Sequence, residues 1–174
     1  MNTSIFLAIN NWAGRWGWLD GLMVFCAEYL MYVMILVVLV YAIRNYKKYR
    51  DMAIVSIGSA LVARFGVATF IRHFYYSSRP YWILTNVHLL LARETESSFP
   101  SGHAIFMFAL ATGVYRYNKK AGWWFYASAC LVGFARIFAG VHWPYDIVAG
   151  AVLGVLTALV CGWLFRKFKH VVGL

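Results

Sequence analysis

The chain has 174 residues, of which 63% are hydrophobic, and its mean hydropathy is +0.65. The length predicts a single domain over residues 1–174, and the composition excludes an ordinary soluble protein because so small a fold cannot hide this much apolar surface from water. The net charge of +10 suggests nucleic acid as a partner, but the positions of the basic residues argue against it.

Ten of the sixteen Lys and Arg residues form three short clusters, each directly after an apolar segment. The clusters cover residues 44–50, 116–120 and 166–169. Basic residues in this position are typical of the cytoplasmic loops and tails of membrane proteins. The charge therefore predicts the orientation of the chain in a membrane, and no binding of nucleic acid.

The apolar segments predict an all-α membrane protein, a helical bundle with about five transmembrane helices, since one helical span needs about 20 apolar residues. The predicted spans cover residues 20–43, 52–72, 103–116, 121–139 and 146–165. The Trp-rich segment 4–18 is short, so we expect an N-terminal amphipathic helix in the outer interface. A sixth, short span is the alternative.

Five spans with the basic clusters inside place the N-terminus outside a cell membrane and the C-terminus in the cytoplasm. Three stretches rich in polar residues, 72–80, 97–103 and 136–146, then all lie on the extracytoplasmic face. The topology follows from the basic clusters alone, so the prediction that the three polar stretches share one face is independent of the polar residues themselves. It predicts a functional site at the outer ends of the helices.

Three arginines in these stretches, Arg72, Arg79 and Arg136, predict a phosphate pocket, since charges at the edge of a membrane need partners and guanidinium groups match phosphate oxygens. Ser101 and Gly102 stand just before a predicted helix, where backbone N–H groups and the helix dipole favour an anion. The alternative is that the arginines only extend to lipid headgroups.

Cleavage of a phosphoester also needs a nucleophile and an acid, and imidazole serves either role near neutral pH. His103 and His142 are the candidates, and Asp146 follows His142 by four residues, where a carboxylate can orient the ring. A metal site built on these side chains is the alternative, although the three nearby guanidiniums would repel a cation. We therefore predict no metal and no cofactor.

At these residues the sequence resembles the type 2 phosphatidic acid phosphatase superfamily, membrane relatives of the vanadium haloperoxidases. That family's signature is Lys, six residues, Arg-Pro; then Pro-Ser-Gly-His; then Ser-Arg, five residues, His, three residues, Asp. The matches occur in order, within residues 72–146, as Arg72 with Arg79-Pro80, Pro100-Ser101-Gly102-His103, and Ala135-Arg136 with His142 and Asp146. Two positions depart from the signature, because Arg72 replaces Lys and Ala135 replaces Ser.

The resemblance implies a role for each matched residue. His142 would attack phosphorus, Asp146 would orient it, and His103 would protonate the leaving group. Water would then hydrolyse the phosphohistidine intermediate. The residues implied in holding the phosphoryl oxygens are Arg72, Arg79, Ser101, Gly102 and Arg136.

The substrate class follows from a closer resemblance to bacterial undecaprenyl-diphosphate phosphatases of the bacitracin-resistance type. The compact architecture, the run Asn10 to Asp20 and the loop ending Ser98-Phe99-Pro100-Ser101 carry this resemblance. It implies hydrolysis of undecaprenyl diphosphate, a lipid-linked diphosphate within the membrane. The alternatives are a phosphatidylglycerophosphate or other lipid-phosphate phosphatase, and a protein that binds or transports lipid phosphate without cleaving it. No oligomeric state is predicted.

Two charged residues lie inside the predicted spans, Glu28 in the first and Arg64 in the second. Both are about 12 Å from the outer end at about 1.5 Å per residue. Buried charges inside a membrane usually find partners. We therefore expect Glu28 and Arg64 to form an ion pair, with extension of Arg64 towards the membrane surface as the alternative.

Overall fold

The computed structural model describes residues 2–172, and all regular structure in that range is helical. The helices are α1 (Asn2–Asn10), α2 (Gly17–Glu28), α3 (Leu30–Arg44), α4 (Tyr46–Leu61), a π-helical segment (Val62–Ala68), α5 (Thr69–Phe74), α6 (Pro80–Ile83), α7 (Gly102–Tyr117), α8 (Lys119–Phe138) and α9 (Pro144–Val172).

The first predicted span, residues 20–43, consists of two helices, α2 and α3, that meet at Tyr29 with a bend of 52°. On α2, Met23 belongs to a cluster with Phe138 of α8. On α3, Met34 belongs instead to the main core, which α4, α7 and α8 also form. The bend thus lets one apolar segment pack against two different parts of the bundle.

The second predicted span, residues 52–72, is longer than expected and forms one helical run from Tyr46 to Phe74. It begins early because the side chain of Asn45 caps it, accepting a hydrogen bond from the backbone N–H of Lys48. Its middle, Val62–Ala68, is π-helical. Such wide turns are rare and occur often at functional sites.

The helix α7 lies at the centre of the bundle, and its residues from Ala104 to Val114 are nearly all buried. Glycines on α9 allow close contact with it: a Cβ on Gly154 would collide with the carbonyl oxygen of Ile105, and one on Gly150 would lie 2.9 Å from the Cβ of Ala104. This packing holds the start of α7 beside the start of α9.

The outer surface of the bundle carries large apolar side chains, such as Leu36, Phe65 and Leu156, each more than half exposed. Patches of this kind mark contact with lipid or with partners. Within residues 2–172, two helices can cross a membrane by length and composition, Tyr46–Phe74 and Pro144–Val171, and the number is three if α2 and α3 count as one bent span. The chain is therefore a membrane protein with an all-helical fold.

The segment 4–18 forms no single helix, because α1 ends at Asn10. The side chain of Asn10 is fully buried. It donates hydrogen bonds of 2.8 Å to the carbonyls of His88 and Phe138 and accepts one of 2.9 Å from the N–H of His88. These bonds fix the loop that precedes α7 against the end of α8, where Gly140 reverses the chain with a φ of 82°.

Candidate active site

The polar stretches of the sequence meet at one end of the bundle around a cavity of about 400 Å³. The cavity lies at the N-terminus of α7, between the ends of α5 and α8. Of the predicted site residues, five line the cavity: Arg72, Gly102, His103, Arg136 and His142. The other three are buried nearby: Arg79, Ser101 and Asp146.

The imidazole of His142 is held from behind by the carboxylate of Asp146, and both side chains are at most 1% exposed. Nδ1 of His142 lies 3.4 Å from Oδ2 of Asp146. The same oxygen accepts hydrogen bonds from the backbone N–H of Trp143 at 2.9 Å and from the hydroxyl of Ser98 at 2.5 Å. Because Nδ1 faces the carboxylate, Nε2 is the nitrogen left to face the cavity, as a nucleophilic imidazole requires.

Burial lowers the pKa of His142 well below its usual value, and the positive charges of Arg136 and Arg79 lower it further. The ring is therefore neutral at physiological pH and keeps a lone pair on Nε2. A neutral imidazole beside two guanidiniums is suited to attack an anionic phosphorus centre.

Two buried arginines hold the carboxylate of Glu94 between them. Arg79 donates to its Oε2 at 2.5 Å, and Arg136 donates to its Oε1 at 2.8 Å. Burial alone would raise the pKa of Glu94, but Arg136 and Arg79 outweigh this effect and hold it below its usual value. Arg79 also donates to the carbonyl of Val141, directly before His142, at 3.0 Å. The negatively charged carboxylate of Glu94 thus lies close to His142, the candidate nucleophile.

The two departures from the family signature have different surroundings. Arg72 donates through Nη2 to the carbonyl of Pro100 at 2.9 Å and through Nη1 to Glu96 at 2.8 Å. A lysine has a single nitrogen and lacks this fork. Ala135 is fully buried in a cluster with Cys26 of α2, so this position contributes to helix packing.

Arg64 also lines the cavity, although the sequence analysis assigned it no role there. Its Nη1 lies 3.4 Å from the carbonyl oxygen of Gly102 and 3.8 Å from the sulfur of Met31. Among residues 2–172, no carboxylate lies within 4.0 Å of its guanidinium, so the predicted pair with Glu28 is wrong. The π-helical segment carries Arg64 to the start of α7, whereas Glu28 ends α2.

The start of α7 brings Ser101, Gly102 and His103 to the cavity. The hydroxyl of Ser101 caps the helix by accepting from the N–H of Ala104 at 3.5 Å. A Cβ on Gly102 would lie 3.3 Å from Nη2 of Arg72, so glycine leaves room for this guanidinium. His103 lies in the first turn, where the helix dipole adds partial positive charge.

Three residues at the site, Glu94, Glu96 and Ser98, were given no role by the sequence analysis. The sequence could have indicated Glu94 and Glu96 as partners of Arg79, since they are the acidic residues nearest to it in the chain. Ser98 had no such signal, because its contact with Asp146 spans 48 residues and depends on the path of the loop.

The sequence profile of the PAP2 superfamily matches residues 53–170 of the chain. The bacitracin transport permease protein BcrC of Bacillus licheniformis is 34% identical over 98% of this chain and 84% of its own length. The undecaprenyl-diphosphatase BcrC of Bacillus subtilis (strain 168) is 30% identical over 97% of this chain and 84% of its own length. The crystal structure of Aquifex aeolicus LpxE matches with a TM-score of 0.76 and 28% identity, over 92% of this chain and 93% of that one. The family resemblance carried by the motifs is confirmed.

Proposed function

The chain belongs to the PAP2 superfamily, and on that basis we propose that it hydrolyses undecaprenyl diphosphate to undecaprenyl phosphate and phosphate. Residues 1–174 act as one phosphatase domain. His142 Nε2 forms a bond to the terminal phosphorus while the bond to the lipid phosphate breaks. His103, which takes up a proton when the anionic substrate binds beside it, gives that proton to the leaving oxygen. Water, deprotonated by His103, then breaks the phosphohistidine bond and releases phosphate.

The observation that carries the proposal is the imidazole of His142, which is oriented by Asp146 and lines a cavity beside two arginines that hold the carboxylate of Glu94. The carboxylate of Glu94 has the charge and the oxygen spacing of one edge of a phosphate group. Arg79 and Arg136 are thus positioned to neutralise the charge of a transferring phosphoryl group, which is the role that a metal ion has in other phosphatases.

Two other functions fit parts of the site. A phosphatidylglycerophosphate phosphatase would use the same residues on a different lipid. The other is a protein that binds or transports lipid phosphate without cleaving it, and the Bacillus licheniformis relative is named a bacitracin transport permease. Binding and transport need only cations and hydrogen-bond donors, so the pairing of His142 with Asp146 favours catalysis.

The deciding experiment measures phosphate release by the purified full chain from undecaprenyl diphosphate, phosphatidylglycerophosphate and phosphatidic acid. We expect the highest kcat/KM with the diphosphate. Turnover of phosphatidylglycerophosphate without turnover of the diphosphate would support the first alternative. Tight binding of all three lipids without phosphate release would support the transporter.

The active site lies on the extracytoplasmic face of the cell membrane in this proposal, with five spans and a cytoplasmic C-terminus. This orientation is supported by the basic clusters, since those at residues 116–120 and 166–169 lie towards the ends of α7 and α9 opposite to the cavity, and basic residues favour the cytoplasmic side. In a chain whose three cysteines are replaced by serine, a membrane-impermeant maleimide should label Thr85→Cys in intact cells and Lys47→Cys only after permeabilisation. Both positions are exposed. The reverse pattern would contradict the topology.

Substitution Glu94→Gln should destabilise the empty protein and make inorganic phosphate a stronger stabiliser. The change leaves two buried guanidiniums without a full counter-charge, which we expect to lower the free energy of unfolding by about 1–3 kcal/mol. The effect is smaller than for a fully enclosed pair because the side chain of Glu94 is 41% exposed. Phosphate can then bind the same two guanidiniums.

Thermal unfolding in detergent, with and without millimolar phosphate, measures both effects. The matched control is Glu96→Gln, because Glu96 also pairs with an arginine but is 73% exposed. We expect little loss of stability in the control. A phosphate-induced rise in Tm that is no larger in Glu94→Gln than in the unchanged protein would mean that Glu94 does not occupy a phosphate site.

A further inference from the structure

Arg64 is a cation in the cavity without a carboxylate partner among the described residues, 2–172. Arg72 and Arg136, which also line the cavity, and the buried Arg79 beside it are each held by an acid, with Glu96 on Arg72 and Glu94 on the other two. The fourth cavity arginine, Arg93, lies over the rings of Tyr81 and Trp82. Arg64 has the carbonyl of Gly102 at 3.4 Å, the sulfur of Met31 at 3.8 Å and the ring of Phe65, whose centroid lies 5.8 Å from Cζ. A charged side chain at this depth in a membrane is costly unless an anion joins it.

The guanidiniums divide into two groups around the reacting histidines. Arg79 and Arg136 meet at Glu94, and Arg79 also bonds the residue directly before His142. Arg64 and Arg72 instead converge on Gly102, the residue directly before His103: a Cβ there would lie 3.7 Å from Cζ of Arg64 and 3.3 Å from Nη2 of Arg72. One group lies beside the nucleophile and the other beside the acid.

The π-helical segment brings Arg64 and Arg72 onto one side of their helix. In an α-helix, positions eight residues apart differ by about 80° at about 100° per residue. A π-bulge accommodates one extra residue, which reduces the effective separation to about seven residues and the difference to about 20°. Arg64 lies within this segment, Val62–Ala68, and Arg72 follows it.

From this arrangement we infer that Arg64, together with Arg72, forms a second anion subsite that binds the lipid-linked phosphate of a diphosphate substrate. This inference rests on the proposed function. The terminal phosphate lies on Arg79 and Arg136 beside His142, and the second phosphate lies beside His103, which protonates the oxygen between them. Arg72 contacts both phosphates, and Arg64 contacts only the second. The Cα atom of Arg64 is about 10 Å further along the helix into the membrane than that of Arg72, the direction in which the lipid tail must leave.

The subsite makes Arg64 a specificity-determining residue that distinguishes a diphosphate from a monophosphate with the same tail. The terminal phosphate has its own arginines, so hydrolysis of a monophosphate does not require Arg64. A diphosphate adds charged oxygens beside His103, and Arg64 is positioned to pair with them. A charge-assisted hydrogen bond of this kind corresponds to a change of about 10- to 100-fold in kcat/KM.

The test compares farnesyl diphosphate with farnesyl monophosphate, using the full chain purified in detergent without phospholipid. In Arg64→Met we expect kcat/KM for the diphosphate to fall by about 10- to 100-fold, and that for the monophosphate by less than about three-fold. Arg64→Lys keeps the charge without the fork and should recover part of the lost activity on the diphosphate. The control is Arg44→Met, which removes an exposed arginine from the far end of α3 and should change neither value.

A second measurement separates failure of this inference from failure of the proposed function. Inorganic pyrophosphate should raise the Tm of the unchanged protein more than orthophosphate does, and Arg64→Met should remove that difference. This holds whether or not either farnesyl substrate is cleaved. Equal losses on both substrates, or an unchanged pyrophosphate effect in Arg64→Met, would overturn the subsite. A subsite for bulk lipid headgroups would instead show phospholipid inhibition that Arg64→Met relieves, with no preference for pyrophosphate.

Discussion

Replacing His142 with glutamine should abolish phosphate release, with a fall in kcat on the order of 10⁴-fold or more. Nε2 of His142 is the nitrogen that faces the cavity, and no other described side chain combines this position with a carboxylate behind it. Glutamine has a similar reach but cannot form the phosphoryl bond. The direct measurement is an alkali-stable label on the protein after rapid quenching with substrate labelled in the terminal phosphate. The unchanged protein should carry the label, and His142→Gln should carry none.

The matched control for this experiment is His170→Gln, since His170 is exposed near the end of α9, far in sequence from the cavity motifs. It should keep full activity and full labelling. The phosphate-induced rise in Tm should persist in His142→Gln, because the guanidiniums that bind the anion are unchanged. Undiminished phosphate release by His142→Gln would remove the nucleophile assignment.

Replacing His103 with glutamine should slow the cleavage of a lipid monophosphate by about 10²- to 10⁴-fold, the usual contribution of a general acid. The size of the loss should depend on the leaving group. An alkoxide needs a proton as it leaves, whereas the p-nitrophenolate ion does not. The initial burst of p-nitrophenol from p-nitrophenyl phosphate should therefore be much less affected than cleavage of farnesyl monophosphate.

The burst is the better measure because it reports phosphorylation of His142 before water is needed. His103→Gln should keep the burst and lose the steady phase that follows, because His103 also activates water. Equal losses on the aryl and the alkyl substrate would contradict the role of His103 as an acid. His73→Gln, which changes an exposed histidine in the last turn of α5, is the control and should behave as the unchanged protein does.

The sequence by itself determined the class of the protein and predicted which residues meet at one end of the bundle. Apolar segments of about 20 residues form helices in lipid, because a helix pairs the backbone polar groups within the segment, and all regular structure in residues 2–172 is helical. The motif residues stand at the ends of these segments. Once the helices form a bundle, residues at their ends meet, so five of the eight predicted site residues line one cavity.

The tertiary structure alone decided which charges pair, because pairing depends on side-chain direction and on the path of loops. The sequence placed Glu28 and Arg64 at similar depths, and depth was the only criterion available. The bend at Tyr29 and the π-helical segment then turned the two side chains to different places. Neither feature follows from hydropathy, since both change the direction of a helix without changing its apolar length.

The loop before α7 gives a second case, at the candidate active site, in which the sequence did not determine which side chains pair. From the sequence, Glu94 and Ser98 are two polar residues in a connecting segment. In the fold, Glu94 lies between Arg79 and Arg136, and the hydroxyl of Ser98 donates a hydrogen bond to Asp146, the carboxylate behind His142. Contacts between residues so distant in the chain form only when the helices bring their ends together. The sequence therefore determined which residue types stand at the ends of the helices, and the packing of the bundle decided their partners.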